Sequence, residues 1–258
     1  MWGAVIGDLA GSIYEYEQHK NVSLIRVNNL IEDDSFFTDD TIMTVAIYDA
    51  ILRNGSYENY LKSYVKRYLK YQPDTSANHF STIFGKRFVS WATENGKNDS
   101  IGNGAMMRIS GIGKMFNREE DVIENALLAT KPSHNSMEAI YCSRIVALVI
   151  FYARMGYNKG EILDKVGFKT FDYRPFEHFN STCFETLENC LYVTFSSNSF
   201  EEAVRKAVDM GGDTDTDGAI VGSMAEALYG VPEYLVNKAR KKLPRELSYV
   251  LDEAYRRI

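Results

Sequence analysis

Histidine and cysteine are scarce: His19, His79, His134 and His178 are scattered without ligand spacing, and the cysteines are only Cys142, Cys183 and Cys190. That excludes a zinc site of the usual His/Cys type and an evenly paired disulfide framework. Cys183 and Cys190 fall on one face of a helical pattern, so all three thiols read as reduced and packed, which fits the cytoplasm. Basic charge is also in deficit, with 29 Lys and Arg against 35 Asp and Glu. The net charge of −6 argues against an extended nucleic-acid surface, although a local basic pocket for a phosphate stays open. No apolar run approaches the roughly 18 residues of a membrane span, so no membrane partner is expected. Residues 1–15 contain Val5-Ile6 and Leu9-Ala10 but no basic flank, and Asp8 breaks the run, so they read as a buried helix and not a signal peptide. There is no Ser/Gly/Pro linker and no low-complexity tract; residues 1–258 read as one domain, expected to be a monomer, and long enough for a sizeable core.

Helical periodicity is what the chain has in quantity. Ile42, Val45, Ala46, Asp49 and Ile51-Leu52 follow it after Thr38, and Tyr60, Tyr64, Val65 and Tyr68 continue it. Further amphipathic stretches cover 84–91, 122–129, 137–155, 184–192, 200–208, 220–228, 234–241 and 247–255. Only 22–27 and 191–195 hint at strand alternation, so the fold class is all-α. Connections are short apart from 20–34, 93–100 and 167–180. Gly3, Gly7 and Gly11 recur every four residues and clear one face of the first helix for close packing, and Gly218, Gly222 and Ala225 do the same near the other end.

Two acidic clusters stand immediately before helical runs: Thr38-Asp39-Asp40-Thr41, and Gly211-Gly212-Asp213-Thr214-Asp215-Thr216-Asp217. Capping alone accounts for the first, since Thr38 is a good N-cap and acids suit a first turn. It does not account for the second, where Asp213, Asp215 and Asp217 repel one another unless a cation is present. An EF-hand is the obvious cation reading, with acids at loop positions 1, 3 and 5 and Gly218 at position 6. It fails at position 12, where Met224 stands in place of the bidentate Glu. If the fold brings the two helix starts together, they form an all-oxygen cage for one or two hard cations such as Mg²⁺ or Mn²⁺. Glu15, before a polar loop, is a candidate extra carboxylate. The Ser100–Gly104 run places glycines around Asn103 at a loop-to-helix junction, where backbone N–H groups are free to meet an anion such as a diphosphate.

These segments together carry a resemblance. Gly7-Asp8-Leu9-Ala10-Gly11-Ser12 through Glu15, Thr38-Asp39-Asp40-Thr41 with Met43-Thr44, Gly102-Asn103-Gly104-Ala105-Met106-Met107-Arg108, Ser133-His134 and Gly211-Gly212-Asp213-Thr214-Asp215-Thr216 resemble, in order, the signature of the ADP-ribosylglycohydrolase family. The resemblance spans roughly residues 3 to 230, and Gly-Gly-Asp-Thr-Asp-Thr is its most specific part. It implies a compact orthogonal all-α domain with two Mg²⁺ or Mn²⁺ ions in a central cleft. It also implies hydrolysis of the glycosidic bond between ADP-ribose and a protein side chain or related conjugate. Carried over by position, Thr38, Asp39, Asp40, Asp213, Asp215 and Thr216 would hold the metals, and Glu15 and Asp213 would be the catalytic carboxylates. Ser100, Gly102, Asn103, Gly104 and His134 would face the nucleotide. The chain departs from the pattern at Asp217, usually apolar, at Gly111, often Pro, and at Met106-Met107. Other metal-dependent hydrolysis, for instance of phosphoesters, and a non-enzymatic relative are the alternative readings.

Overall fold

The computed structural model describes residues 1–168, 173 and 176–257; part of the long connection expected over 167–180 lies outside the described residues. The elements are helices: α1 Trp2–Gly11, α2 Glu15–Lys20, α3 Asp39–Leu52, α4 Tyr57–Tyr68, α5 Lys86–Glu94, α6 Gly104–Met107, α7 Ser110–Met115 and α8 Glu119–Thr130 in the first half. The second half supplies α9 Met137–Arg154, α10 Lys159–Val166, α11 Cys183–Ser196, α12 Phe200–Asp209, α13 Thr214–Tyr229, α14 Glu233–Lys242 and α15 Arg245–Tyr255. Local signals fix several starts. Thr38 accepts from the Asp40 N–H, Ser136 from that of Ala139, and Asn158 with Glu161 and Thr182 with Glu185 form reciprocal capping boxes.

Neither strand hint forms a strand. Residues 191–195 lie inside α11, where Leu191, Val193, Thr194 and Phe195 are all buried, so alternation there reflects a helix covered on several sides. Residues 22–27 pair with helices instead, the N–H groups of Ile25 and Val27 donating to Asp209 and that of Ser23 to Gln18 Oε1. The first helix is also shorter than the sequence suggests. It stops at Gly11, and Glu15 opens a second helix after a turn.

The core is organised around α1, every residue of which is buried, and α13, buried from Thr214 through Glu226. These two helices touch backbone to backbone. A Cβ added to Gly7 would lie 1.9 Å from the Gly218 carbonyl oxygen, and one added to Gly3 would lie 2.2 Å from that of Gly222. The small-residue faces read separately from the two ends of the sequence are therefore one interface. Its consequence is positional, because α1 carries Asp8 and α13 begins beside Asp213. The three cysteines are buried and form no disulfide, and among the described residues no helix is long and apolar enough to cross a membrane.

Candidate functional site

The chain enters α13 through Gly211 and Gly212, both left-handed at φ 75° and 77°. Glycine is required there for conformation and for space, since a Cβ on Gly212 would sit 2.1 Å from Asn180 Oδ1. That same oxygen accepts the Asp213 N–H at 2.8 Å, while the Gly212 N–H donates to Gln18 Oε1 at 3.1 Å. Thr214 Oγ1 donates to the Gly11 carbonyl at 2.9 Å, which ties the end of α1 to the start of α13. The start of α3 is pinned to α1 as well. Asp8 accepts from the N–H of Thr38 at 2.9 Å and of Thr41 at 3.1 Å, and from the Thr41 hydroxyl, with the Thr38 hydroxyl 2.9 Å from its other oxygen. Both acidic clusters are thus anchored to one buried helix and converge.

Two sets of carboxylates result, each with oxygens within 4.8 Å of one another: Asp8, Asp40 and Asp215, and Glu15, Asp213 and Asp215. Asp215 belongs to both. Burial is the leading reason that the carboxyls of Asp39, Asp40, Asp213 and Glu15 are all held well above the ordinary range, and the Asp215 charge is the next. Asp8 is pushed up to about 7 for the same two reasons, against the pull of its hydrogen bonds from Thr38 and Thr41. The hydroxyls of Thr38 and Thr216 lie 3.2 and 3.3 Å from Asp40 Oδ2. Asp40 Oδ1 is buried without any partner. An orphaned carboxylate oxygen inside an all-acid cluster is the donor set a hard cation would satisfy.

These groups border a cavity of about 400 Å³ that is also lined by Ser100, Gly102, Asn103, Gly104, Arg108, Phe179 and His134. Thr38 faces an adjoining lobe of about 260 Å³ with Phe36 and Phe80, and Glu15 and His19 border both. His19 Nε2 is 3.3 Å from Glu15, and its ring stacks on Phe179 at 3.6 Å between centroids. The turn before α6 differs from the sequence expectation in one respect. The Gly102 N–H donates to Ser100 Oγ at 3.1 Å and the Asn103 N–H to the Ser181 carbonyl at 3.0 Å, so neither amide is free for an anion. The Ser100 hydroxyl uses up the first within the turn, and pairing with the segment before α11 uses up the second. The Asn103 side chain instead donates to Asp213 Oδ2 at 2.8 Å and steadies that carboxylate. His134 shares its Nδ1 with Ser133 Oγ at 2.7 Å, and burial followed by the nearby Arg108 and Arg87 charges pushes its pKa well below the ordinary histidine value.

Sequence reasoning assigned no site role to four residues of this cleft. Asp8 was visible as an acid interrupting an apolar helix and inside the family motif, without a role of its own. Asp217 is fully buried and held through both oxygens by Asn180 Nδ2, at 3.0 and 3.1 Å. Asn180 had no signal, because it stands in a long connection and acts through its fold neighbours. Arg108 was quoted only as part of a motif, yet its side chain is entirely buried against the cleft.

Known proteins share this architecture. The profile of the ADP-ribosylglycohydrolase family matches residues 1–257. An ADP-ribosylarginine hydrolase, Tri1, from Pseudomonas putida is 25% identical, the alignment covering 96% of this chain and 76% of that protein. The ADP-ribosylhydrolase ARH3 of Mus musculus is 24% identical over 90% of this chain and 83% of its own length. A solved structure titled ADP-ribosylglycohydrolase-related protein complex superimposes with a TM-score of 0.74 at 22% identity, covering 99% of this chain and 95% of that one. With its all-α fold and a family profile matched from end to end, this chain belongs to the ADP-ribosylglycohydrolase family.

Proposed function

We propose that the protein hydrolyses the glycosidic bond that joins ADP-ribose to an acceptor, a modified protein side chain or a related conjugate, with two Mg²⁺ or Mn²⁺ ions at the carboxylate cluster. The observation that carries this reading is the pair of carboxylate sets sharing Asp215, with Asp40 Oδ1 buried and unpartnered between helix starts. Family membership and the activities named for the relatives support the substrate class.

Asp40, Asp213 and Asp215, with Asp39 and the hydroxyls of Thr38 and Thr216, would hold the ions, and Asp8 would fix the start of α3 behind them. Ions bound there supply neutralising charge and Lewis acidity toward ribose hydroxyls and water. The protein does the rest by position. Glu15 stands where the cavity and its adjoining lobe meet, so a bond crossing from one to the other passes its carboxyl. Asp213 lines the same cavity, its backbone N–H held by Asn180 and its carboxylate by Asn103. Between them these two carboxyls take a proton from water and deliver one to the departing acceptor, so that water and conjugate become ADP-ribose and free acceptor. Ser100, Gly102, Gly104 and His134 shape the wall that the nucleotide would follow.

The metal part is tested by melting chelator-treated protein with and without added Mg²⁺ or Mn²⁺. A bound ion raises the melting temperature of the parent and does so far less for Asp215→Asn, which breaks both sets at once. Equal stabilisation of parent and variant would refute the shared-carboxylate arrangement.

A further inference from the structure

Asp217 has no part in the chemistry proposed above, yet a carboxyl is among the costliest groups to bury. It is 0% exposed in the first turn of α13, and among the described residues no cation pairs with it. Burial pushes its carboxyl well above the ordinary range, and the Asp215 charge adds to that push. A leucine of nearly the same shape would fill the space without desolvating a carboxyl, so packing does not account for the residue.

What the carboxyl does is hold one amide. Both of its oxygens accept from Asn180 Nδ2, at 3.0 and 3.1 Å, with the Cys190 thiol 3.8 Å from Oδ1. Asn180 is fully buried as well, and it stands in the connection before α11 and not in a helix. The two ends of its amide are nearly alike in shape and opposite in polarity, so neighbours must set its orientation. Thr186 Oγ1, 3.0 Å from Nδ2, does not set it, because a hydroxyl can turn to donate or accept. Asp217 does, from a fixed place on a buried helix. It draws Nδ2 and so turns Oδ1 toward the Asp213 N–H, which it meets at 2.8 Å.

Asp213 depends on that hold. It follows Gly212, left-handed at φ 77°, and has ψ 73° and no side-chain cap. Its carbonyl accepts the Asp217 N–H at 2.8 Å, but its own N–H lies ahead of the helix ladder and is met by Asn180. The Asn180 carbonyl also accepts from Asn103 Nδ2 at 3.4 Å, and that same nitrogen donates to Asp213 Oδ2 at 2.8 Å. Backbone and carboxylate of Asp213 are therefore both referred to Asn180, and Asn180 is referred to Asp217.

We propose that Asp217 is a positioning residue: by anchoring the Asn180 amide to α13, it fixes the Asp213 carboxylate for the metals and the reacting water. The inference rests on the proposed function for what Asp213 does, whereas the hydrogen-bond relay stands on its own residues. Asp217 is not among the residues that line the cavity, so its effect passes through Asn180.

The test is calorimetric titration of the full chain, stripped with chelator, with Mn²⁺, alongside kinetics on arginine- and serine-linked ADP-ribose conjugates. Asp217→Leu binds Mn²⁺ about 10-fold more weakly, and its kcat falls by about 10-fold to 100-fold with KM little changed, the scale for losing a group that orients a ligand. Its metal-free melting temperature stays within a few degrees of the parent or rises, which a purely structural role would not allow. Asp217→Asn keeps an acceptor for Nδ2 and recovers affinity and kcat to within about 3-fold of the parent. Asp217→Leu/Asn180→Ala is no worse than Asn180→Ala alone, since both substitutions break one relay. Asp217→Val, which cannot overfill the site, is read in the same way if Asp217→Leu does not fold. Parent-like Mn²⁺ binding by the apolar variant, an Asp217→Asn protein as weak as that variant, multiplying losses in the double variant, or no Mn²⁺ binding by the parent overturns the proposal. If Mn²⁺ affinity falls as described but the parent hydrolyses neither conjugate, the relay stands and the functional reading fails. If the parent hydrolyses a conjugate and the apolar variant matches it in affinity and kcat, the functional reading stands and Asp217 has no positioning role.

Discussion

Gly7→Ala, one added methyl group, tests whether the α1–α13 contact organises the molecule. The new Cβ would lie 1.9 Å from the Gly218 carbonyl oxygen and 2.2 Å from its carbon, and real Cβ atoms do not come within 3.0 Å. The two helices must part by about 1 Å or more, and the obstructing atoms are backbone, which cannot rotate away. Overpacking of this kind costs about 1–3 kcal/mol, and this case belongs at the upper end because all of α1 is buried. Alanine's better helix propensity returns about 1 kcal/mol. The net loss is about 2 kcal/mol, a drop of about 4–8 °C in melting temperature for a chain of this size. Circular dichroism melts measure it. Gly160→Ala in α10 is the control, because the nearest atom to its Cβ would be Asn158 Oδ1 at an ordinary 3.4 Å. That variant should be neutral or slightly stabilised. Since Asp8 rides on α1 and Asp215 on α13, Gly7→Ala should also lose more of its response to Mg²⁺ than of its stability. A Gly7→Ala protein that melts at or above the parent would refute the argument.

Two further outcomes follow from the carboxylates. Glu15→Ala should lower turnover by about 10²-fold or more, the usual scale for a positioned acid or base, while ADP-ribose still binds; a loss of only a few-fold would remove Glu15 from the chemistry. The metal-free protein should lose stability as pH rises from about 4 to about 7. Asp8 is pushed up to about 7 from an ordinary 3.8, so over that window the folded chain holds more protons than the unfolded one, and stability falls with pH. Melting temperatures of chelated protein check the sign, and a rise across that window would contradict it. Added Mg²⁺ should flatten or reverse the slope, since it favours the ionised carboxyls.

Much of this architecture was legible because its signals are local. Thr38 caps α3 as its residue type suggests, and the two small-residue faces announced close helix packing before either partner was known. The clustered acids of 38–40 and 213–216 identified the heart of the cleft, because like charges crowded together call for a counter-charge. What escaped depends on tertiary neighbours. Asp8 accepts from Thr38 and Thr41, 30 and 33 residues away, and its place in an apolar helix marks it as unusual without naming those partners. Asn180 acquires its role only when α13 delivers Asp213 and Asp217 to it. The amide of Asn103 looked available because the Ser181 carbonyl that occupies it is distant in sequence, while that of Gly102 is taken by the neighbouring Ser100 hydroxyl. The alternation at 191–195 misled for a related reason, since a helix buried on several sides leaves no polar face to betray its period.

The most direct test of the account is release of free ADP-ribose from arginine-linked and serine-linked conjugates, assayed side by side with Mg²⁺ or with chelator. The account predicts that the parent releases ADP-ribose from at least one of them in Mg²⁺, that chelation abolishes release, and that Asp215→Asn releases none. Release that persists under chelation or in Asp215→Asn, or no release from either conjugate in Mg²⁺, would contradict it.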